Sequence, residues 1–152
     1  MTNVPVDPDR SGSGRPLHRQ LPALAVVFAG GAVGTLARYG TGAALPHGVG
    51  SWPTGTFLVN IVGAFALGLL LEALVRSGPD DGWRRRTRLL AGTGFCGAFT
   101  TYSSFALETT ELARGGAAVT ALAYLGVTVV LGLAAAWAGI ATGNAAVKRR
   151  VK

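Results

Sequence analysis

The sequence predicts an all-α membrane protein with four transmembrane helices, of which the third is interrupted. Charged residues make up only 14% of the 152 residues and hydrophobic residues 49%, whereas a soluble domain carries about 25% charged residues. Four apolar segments approach the roughly 20 residues that a helix needs to cross the hydrocarbon layer. The third of these segments contains glycine, threonine and serine, which favour a helix less than alanine or leucine does.

The four apolar segments are separated by linkers that contain proline, glycine or charged residues. The residues before the first segment are polar and rich in proline, glycine, serine and arginine, which predicts a disordered cytoplasmic tail. We therefore divide the chain into this tail (1–20), a membrane domain (21–143) and a basic cytoplasmic tail (144–152). The predicted helices cover approximately residues 21–42, 54–75, 89–112 and 117–140.

The distribution of lysine and arginine predicts the orientation of the helices. Twelve of the 14 basic residues fall in the N-terminal tail, the linker after the second helix and the C-terminal tail, and only Arg38 and Arg114 fall on the other side. The positive-inside rule therefore predicts that both termini are cytoplasmic. It also accounts for the net charge of +7, so we expect no nucleic-acid partner.

The sequence does not predict an enzyme. Cys96 is the only cysteine, and both histidines, His18 and His47, fall outside the predicted helices. The chain has no Ser-His-Asp set, paired carboxylates or spacing typical of metal ligands. Glu108 is the one acid well inside a predicted helix, and intramembrane acids are candidates for function by default.

Small residues recur at four-residue spacing, as at Gly30 and Gly34 in the first predicted helix. Such pairs let helix backbones approach closely in lipid, either within one subunit or between subunits. Because four helices alone shield a polar pathway poorly, we favour an oligomer.

Asn60 lies near the start of the second predicted helix. Its amide must find hydrogen-bond partners in hydrocarbon. It either bonds to a neighbouring helix or offers its N–H groups to an anion, and the residue alone leaves both roles open.

The polar run of the third segment contains six hydroxyl residues between Thr93 and Ser104. Several are consecutive, so they cannot share one face of a helix. We expect a broken helix, at which free carbonyls coordinate a small cation and free N–H groups receive an anion. The alternative is a continuous helix with hydroxyls bonded to carbonyls one turn earlier. The spacing of Phe99, Tyr102 and Phe105 predicts one aromatic stripe if the segment is near-helical.

Three runs resemble motifs of the Fluc (CrcB) family of small bacterial fluoride channels. Residues 30–39 (GGAVGTLARY) resemble the family's first-helix motif, residues 55–63 (GTFLVNIVG) its second-helix motif, and residues 94–105 (GFCGAFTTYSSF) its broken third helix. The resemblance covers roughly residues 30–143. It implies a fluoride-selective channel in the bacterial plasma membrane that exports cytoplasmic fluoride down its gradient and so reduces fluoride toxicity. It also implies an antiparallel, dual-topology dimer.

The resemblance implies roles for individual residues. The backbone carbonyls of Gly97 and Thr100 would bind a structural Na⁺ ion at the dimer centre. Arg38, Gly30 and Gly34 belong to the first-helix motif and would have structural or interface roles. The fluoride pathway would contain Asn60, Tyr102, Ser104, Phe105, Glu108, Tyr124 and Thr128.

The unequal charge distribution bears on the dimer partner. An antiparallel homodimer needs a chain that inserts in both orientations, whereas this distribution favours one. We therefore hypothesise a heterodimer with a homologous subunit of opposite bias, with the homodimer as the alternative. The alternative function is a small proton-coupled exporter of drugs or other cations, in which Glu108 exchanges protons and substrate. A third possibility is an assembly subunit without a pore.

Overall fold

The computed structural model describes residues 20–150, with side chains described as far as residue 146. This part of the chain is helical and contains no strand. Apart from Gln20, the predicted N-terminal tail lies outside the described residues. The elements are α1 (Leu21–Ala44), α2 (Thr54–Ser77), α3 (Gly82–Thr87), a π-helical segment (Arg88–Cys96), α4 (Gly97–Phe99), α5 (Tyr102–Arg114) and α6 (Ala118–Arg150).

Three helices in the described part of the chain are long and apolar enough to cross a membrane, over Leu21–Ala44, Thr54–Ser77 and Ala118–Ala146. They agree with the prediction of an all-α membrane protein. The third predicted segment, residues 89–112, is divided among the π-helical segment, α4 and α5. The last helix continues into the predicted basic tail as far as Arg150.

The first helix packs against the π-helical segment and α4. Gly30 and Gly34 are buried at this contact. A Cβ atom on Gly30 would overlap the Leu90 carbonyl, and one on Gly34 would overlap the Phe95 carbonyl. Within one chain, these two glycines therefore allow the direct contact of backbones that small residues permit in lipid.

The second helix packs along α6. Small residues again lie at the contact, because a Cβ atom on Gly68 would overlap the Ala136 carbonyl and one on Gly139 would overlap the Phe65 carbonyl. Near the end of α2, Glu72 and Arg76 form the ion pair expected from their spacing.

The opposite end of the bundle holds an aromatic core. Leu112 of α5 and Ala121 and Tyr124 of α6 are buried there, and Trp52 and Phe105 pack against them. The short turn between α5 and α6 folds these helices back on one another. This core fixes the position of α5 relative to α6, and therefore the position of the polar side chains on α5.

Candidate functional site

The polar run is interrupted at two residues. Thr100 (φ −77°, ψ 158°) and Thr101 (φ −149°, ψ 125°) have extended backbones between α4 and α5. Thr101 caps the N-terminus of α5, because its Oγ1 accepts a hydrogen bond from the Ser104 N–H at 3.2 Å. A threonine at this position supplies an acceptor to one of the unpaired N–H groups with which a helix begins.

Asn60 of α2 holds the backbone of the interruption. Its Oδ1 accepts from the Thr101 N–H at 2.8 Å, and its Nδ2 donates to the Thr101 carbonyl at 3.0 Å. The side-chain amide therefore pairs with both polar backbone groups of one residue. Of the two roles that the sequence left open, the structure assigns Asn60 the bond to a neighbouring element, and one of its amide hydrogens remains for a further acceptor.

These hydrogen bonds leave two backbone carbonyls without their usual helical donors. In a continuous helix, the Thr101 N–H would bond to the Gly97 carbonyl and the Ser104 N–H to the Thr100 carbonyl. Here Asn60 takes the first donor and the Thr101 hydroxyl takes the second. The carbonyls of Gly97 and Thr100 are therefore released from their helical hydrogen bonds. Gly97 is exposed on this chain and Thr100 is half-buried.

Close packing brings the interruption against α2. A Cβ atom on Gly63 would overlap Cγ2 of Thr100 and lie 3.4 Å from the Phe99 ring. The Thr100 side chain is itself fixed, because its hydroxyl donates to the Cys96 carbonyl at 2.9 Å. Gly63 thus lets Asn60, less than one helical turn away, reach the Thr101 backbone.

A cavity of about 310 Å³ lies beside the interruption. It is lined by Thr101 and Ser104, by Arg38 of α1 and by Thr56 of α2. Arg38 is half-buried. The cavity therefore combines a fixed positive charge with hydroxyl groups, an arrangement that favours a small anion.

Glu108 is held on both carboxylate oxygens. Thr56 Oγ1 donates to Oε1 at 2.7 Å, and Tyr124 Oη donates to Oε2 at 2.8 Å. Glu108 is thus a link between α2, α5 and α6. Tyr124 is fully buried, and its ring contacts Trp52 and Phe105 at centroid distances of 5.3 and 5.2 Å.

The predicted aromatic stripe is divided into two parts. Phe99 stacks on Phe95 with ring centroids 5.4 Å apart, whereas Tyr102 contacts Phe105 at 6.3 Å. The division has a physical cause, since the extended backbone of Thr100 and Thr101 breaks the three-residue repeat.

Two predicted pathway residues have unusual surroundings. Thr128 of α6 is buried, and its hydroxyl has no hydrogen-bond partner among the described residues. Tyr102 is 81% exposed on the single chain. A buried hydroxyl without a partner is costly, so Thr128 Oγ1 is a candidate contact for a ligand.

Sequence reasoning missed three residues of this site. Thr101 pairs with Asn60, Thr56 bonds to Glu108, and Trp52 packs on Tyr124. Thr101 could have been suspected from its place in the polar run. Thr56 and Trp52 carry no such local signal, because their roles depend on contacts with residues far away along the chain.

Comparison with known proteins gives a consistent result. Residues 25–140 match the family described as CrcB-like protein, Camphor Resistance (CrcB). The chain is 46% identical to fluoride-specific ion channel FluC 2 of Leifsonia xyli subsp. xyli over 135 residues, which cover 89% of this chain and 92% of the relative. It is 43% identical to fluoride-specific ion channel FluC 1 of Cutibacterium acnes, over 82% of this chain and 87% of the relative. It is 41% identical to fluoride-specific ion channel FluC of Acidobacterium capsulatum, over 78% and 93%.

Proposed function

Since the chain belongs to the CrcB family, we infer that it is a fluoride-specific ion channel and not an enzyme. One observation carries this conclusion: the chain is 46% identical to a fluoride-specific channel over about nine-tenths of both proteins. The half-buried Arg38 and the hydroxyls around the cavity suit a small anion, which supports the same substrate.

Fluoride release from liposomes tests the function. The purified chain is reconstituted into vesicles loaded with potassium fluoride, and a fluoride electrode follows release after valinomycin is added to balance the charge. We expect the chain, reconstituted together with its homologous partner subunit, to release fluoride without comparable release of chloride. Equal permeation of chloride would reject the selectivity, and absence of fluoride release with or without a homologous partner subunit would reject the function.

The alternative of a proton-coupled cation exporter is not supported by the relatives. The structure also gives Glu108 a different task, because both of its oxygens accept hydrogen bonds from Thr56 and Tyr124. An exporter would need that carboxylate to be available to a cationic substrate. We therefore expect the unmodified chain to show no pH-driven uptake of an organic cation, and Glu108→Gln to leave that result unchanged.

The fluoride pathway that we propose runs past the interruption. It includes the Asn60 amide, the Ser104 and Thr128 hydroxyls and the edges of the Tyr102 and Phe105 rings, which carry partial positive charge. The unpaired hydroxyl of Thr128 supports this path, because an anion would supply the acceptor that Thr128 lacks. Tyr124 and Glu108 hold the path in shape through their mutual hydrogen bond.

We also propose a structural Na⁺ site at the carbonyls of Gly97 and Thr100. Both have lost their helical donors to Asn60 and to Thr101, and carbonyl oxygens at a helix break suit a small hard cation. Two carbonyls from one chain leave further ligand positions for a partner subunit. Replacing Na⁺ with N-methylglucamine should lower the midpoint of thermal unfolding of the assembled protein, and an unchanged midpoint would argue against the site.

A third crossing completes the membrane domain. The predicted segment over residues 89–112 is longer than the roughly 20 residues that a helix needs to cross the hydrocarbon core. The polar interruption then lies within the membrane, where Asn60 and Thr101 satisfy part of its backbone. Four crossings put both termini on one side, and the basic residues put that side in the cytoplasm.

The channel is proposed to be an antiparallel dimer. Tyr102 is 81% exposed on one chain although it lies in the middle of the proposed third crossing, so a second subunit that covers it is a natural explanation. The charge distribution favours one orientation, and we therefore propose a homologous partner of opposite bias. Robust fluoride release from the isolated chain would contradict the heterodimer and favour the homodimer.

A further inference from the structure

Four arginines lie close together where α3 meets the π-helical segment. Two of them are paired with acids of the preceding linker: Arg84 lies 2.7 Å from Asp81, and Arg88 lies 2.7 Å from Asp80. The other two have no acidic partner among the described residues. These are Arg85 and Arg86.

The two remaining arginines line a cavity of about 430 Å³ at the start of α1. This volume lies within the range of 300–1,000 Å³ that small-molecule sites usually have. Gln20 and Gly82 line the polar part of the cavity. Its apolar wall is formed by Pro22, Ala23, Val26 and Leu89.

The hydrogen bonding of Arg85 is incomplete. One terminal nitrogen donates to Gln20 Oε1 at 3.2 Å, but its Nε is buried and has no hydrogen-bond partner in the described part of the chain. A buried cationic donor without an acceptor is unfavourable. Arg86 is exposed, so its guanidinium is available beside the same cavity. Together the two side chains offer positive charge and forked hydrogen-bond donors to an anionic group.

We propose that this cavity binds one anionic phospholipid of the membrane. A phosphate group is a good acceptor for guanidinium, which can donate two parallel hydrogen bonds to it. The apolar wall on α1 would contact the upper part of an acyl chain, a contact that free phosphate cannot make. Trp83, 60% exposed next to Arg84, suits the level of the lipid headgroups. Basic pockets at the cytoplasmic ends of membrane helices are typical sites for such headgroups.

Native mass spectrometry of the full chain in detergent tests the proposal. Dioleoylphosphatidylglycerol is titrated, and the fraction of chain that carries one lipid gives an apparent Kd. Each arginine near a membrane surface contributes enough for about a fivefold change in affinity. Arg86→Gln should therefore weaken binding about fivefold, and the double variant Arg85→Gln/Arg86→Gln about 25-fold. The exposed Arg86 has no acidic partner among the described residues, so its single variant tests the site even if the double variant does not fold.

The control variant is Lys148→Gln/Arg149→Gln, which removes the same charge from the end of α6. Gly143 of α6 packs against Glu72 near the end of α2, so α6 ends on the same side of the bundle as α2. We expect this control to bind phosphatidylglycerol within twofold of the unmodified chain. An equal loss in both double variants would mean that charge alone attracts the lipid, and it would overturn the site. Two other results would also overturn the site. One is binding of dioleoylphosphatidylcholine as tight as that of dioleoylphosphatidylglycerol, and the other is displacement of the bound lipid by millimolar inorganic phosphate as effective as by added lipid.

Discussion

The pairing of Asn60 with Thr101 makes a quantitative prediction for Asn60→Leu. Leucine has the same number of side-chain heavy atoms and the same branch point as asparagine, so it fills the space without leaving a large cavity. It removes the acceptor of the Thr101 N–H and the donor to the Thr101 carbonyl. Each buried polar group left without a partner costs about 1–3 kcal/mol. The free energy of unfolding should therefore fall by about 2–6 kcal/mol, from the sum of the two groups.

Equilibrium unfolding in mixed micelles, followed by far-UV circular dichroism, measures this change. Thr41→Val is the matched control, because the Thr41 hydroxyl only bonds back to the Ala37 carbonyl in its own helix at 2.9 Å. It should cost about 0.5 kcal/mol or less, as substitutions away from special features usually do. If Asn60 served only as an anion ligand, Asn60→Leu would lose fluoride flux and keep the stability of the control. That result would refute the role assigned to the Asn60 amide.

Three further substitutions follow from the same site. Gly63→Ala should destabilise the chain by about 1–3 kcal/mol, because the added Cβ would overlap the Thr100 side chain. The control is Gly126→Ala, whose Cβ would meet no atom within 4 Å and which should be neutral or stabilising. Equal effects of the two substitutions would contradict the close packing at Gly63. Thr128→Val removes a buried hydroxyl that has no partner among the described residues. Unfolding measurements should therefore show unchanged or higher stability, while liposomes release fluoride more slowly. A loss of stability would show that the hydroxyl has a protein partner. Tyr124→Phe keeps the ring contacts but removes the hydroxyl that donates to Glu108, so stability should fall by about 1–3 kcal/mol. A change as small as that of Thr128→Val would argue against the link between α5 and α6 through Glu108.

The sequence predicted the long apolar helices well because their signal is local. Leu21 and Thr54 begin the first two helices as expected, since apolar length alone identifies such segments. The position of the backbone interruption is different. The polar run allowed a break anywhere between Gly92 and Phe105, and the choice of Thr100 and Thr101 depends on Asn60, 41 residues earlier in the chain.

The π-helical segment was not predicted at all. Its sequence has no feature that distinguishes it from an α-helix, and π-helices are rare and usually short. Its backbone lies directly against Gly30 and Gly34 of α1. Small residues at four-residue spacing permit close contact both within one chain and between two chains. The sequence alone therefore did not show which contact Gly30 and Gly34 make.

The hydrogen bonds at the interruption bear on the proposal that one short segment serves both a Na⁺ ion and fluoride. Asn60 and the Thr101 hydroxyl accept hydrogen bonds from the two N–H groups that would otherwise donate to the Gly97 and Thr100 carbonyls. The carbonyl side is therefore left with spare acceptors, which attract a cation and repel fluoride. An anion must instead follow groups that donate, such as the remaining amide hydrogen of Asn60 and the unpaired Thr128 hydroxyl, with Arg38 in the cavity beside the interruption. Because the carbonyls that would hold the cation and the donors that would contact the anion are different groups, a Na⁺ ion at the break does not occupy the groups proposed for the anion.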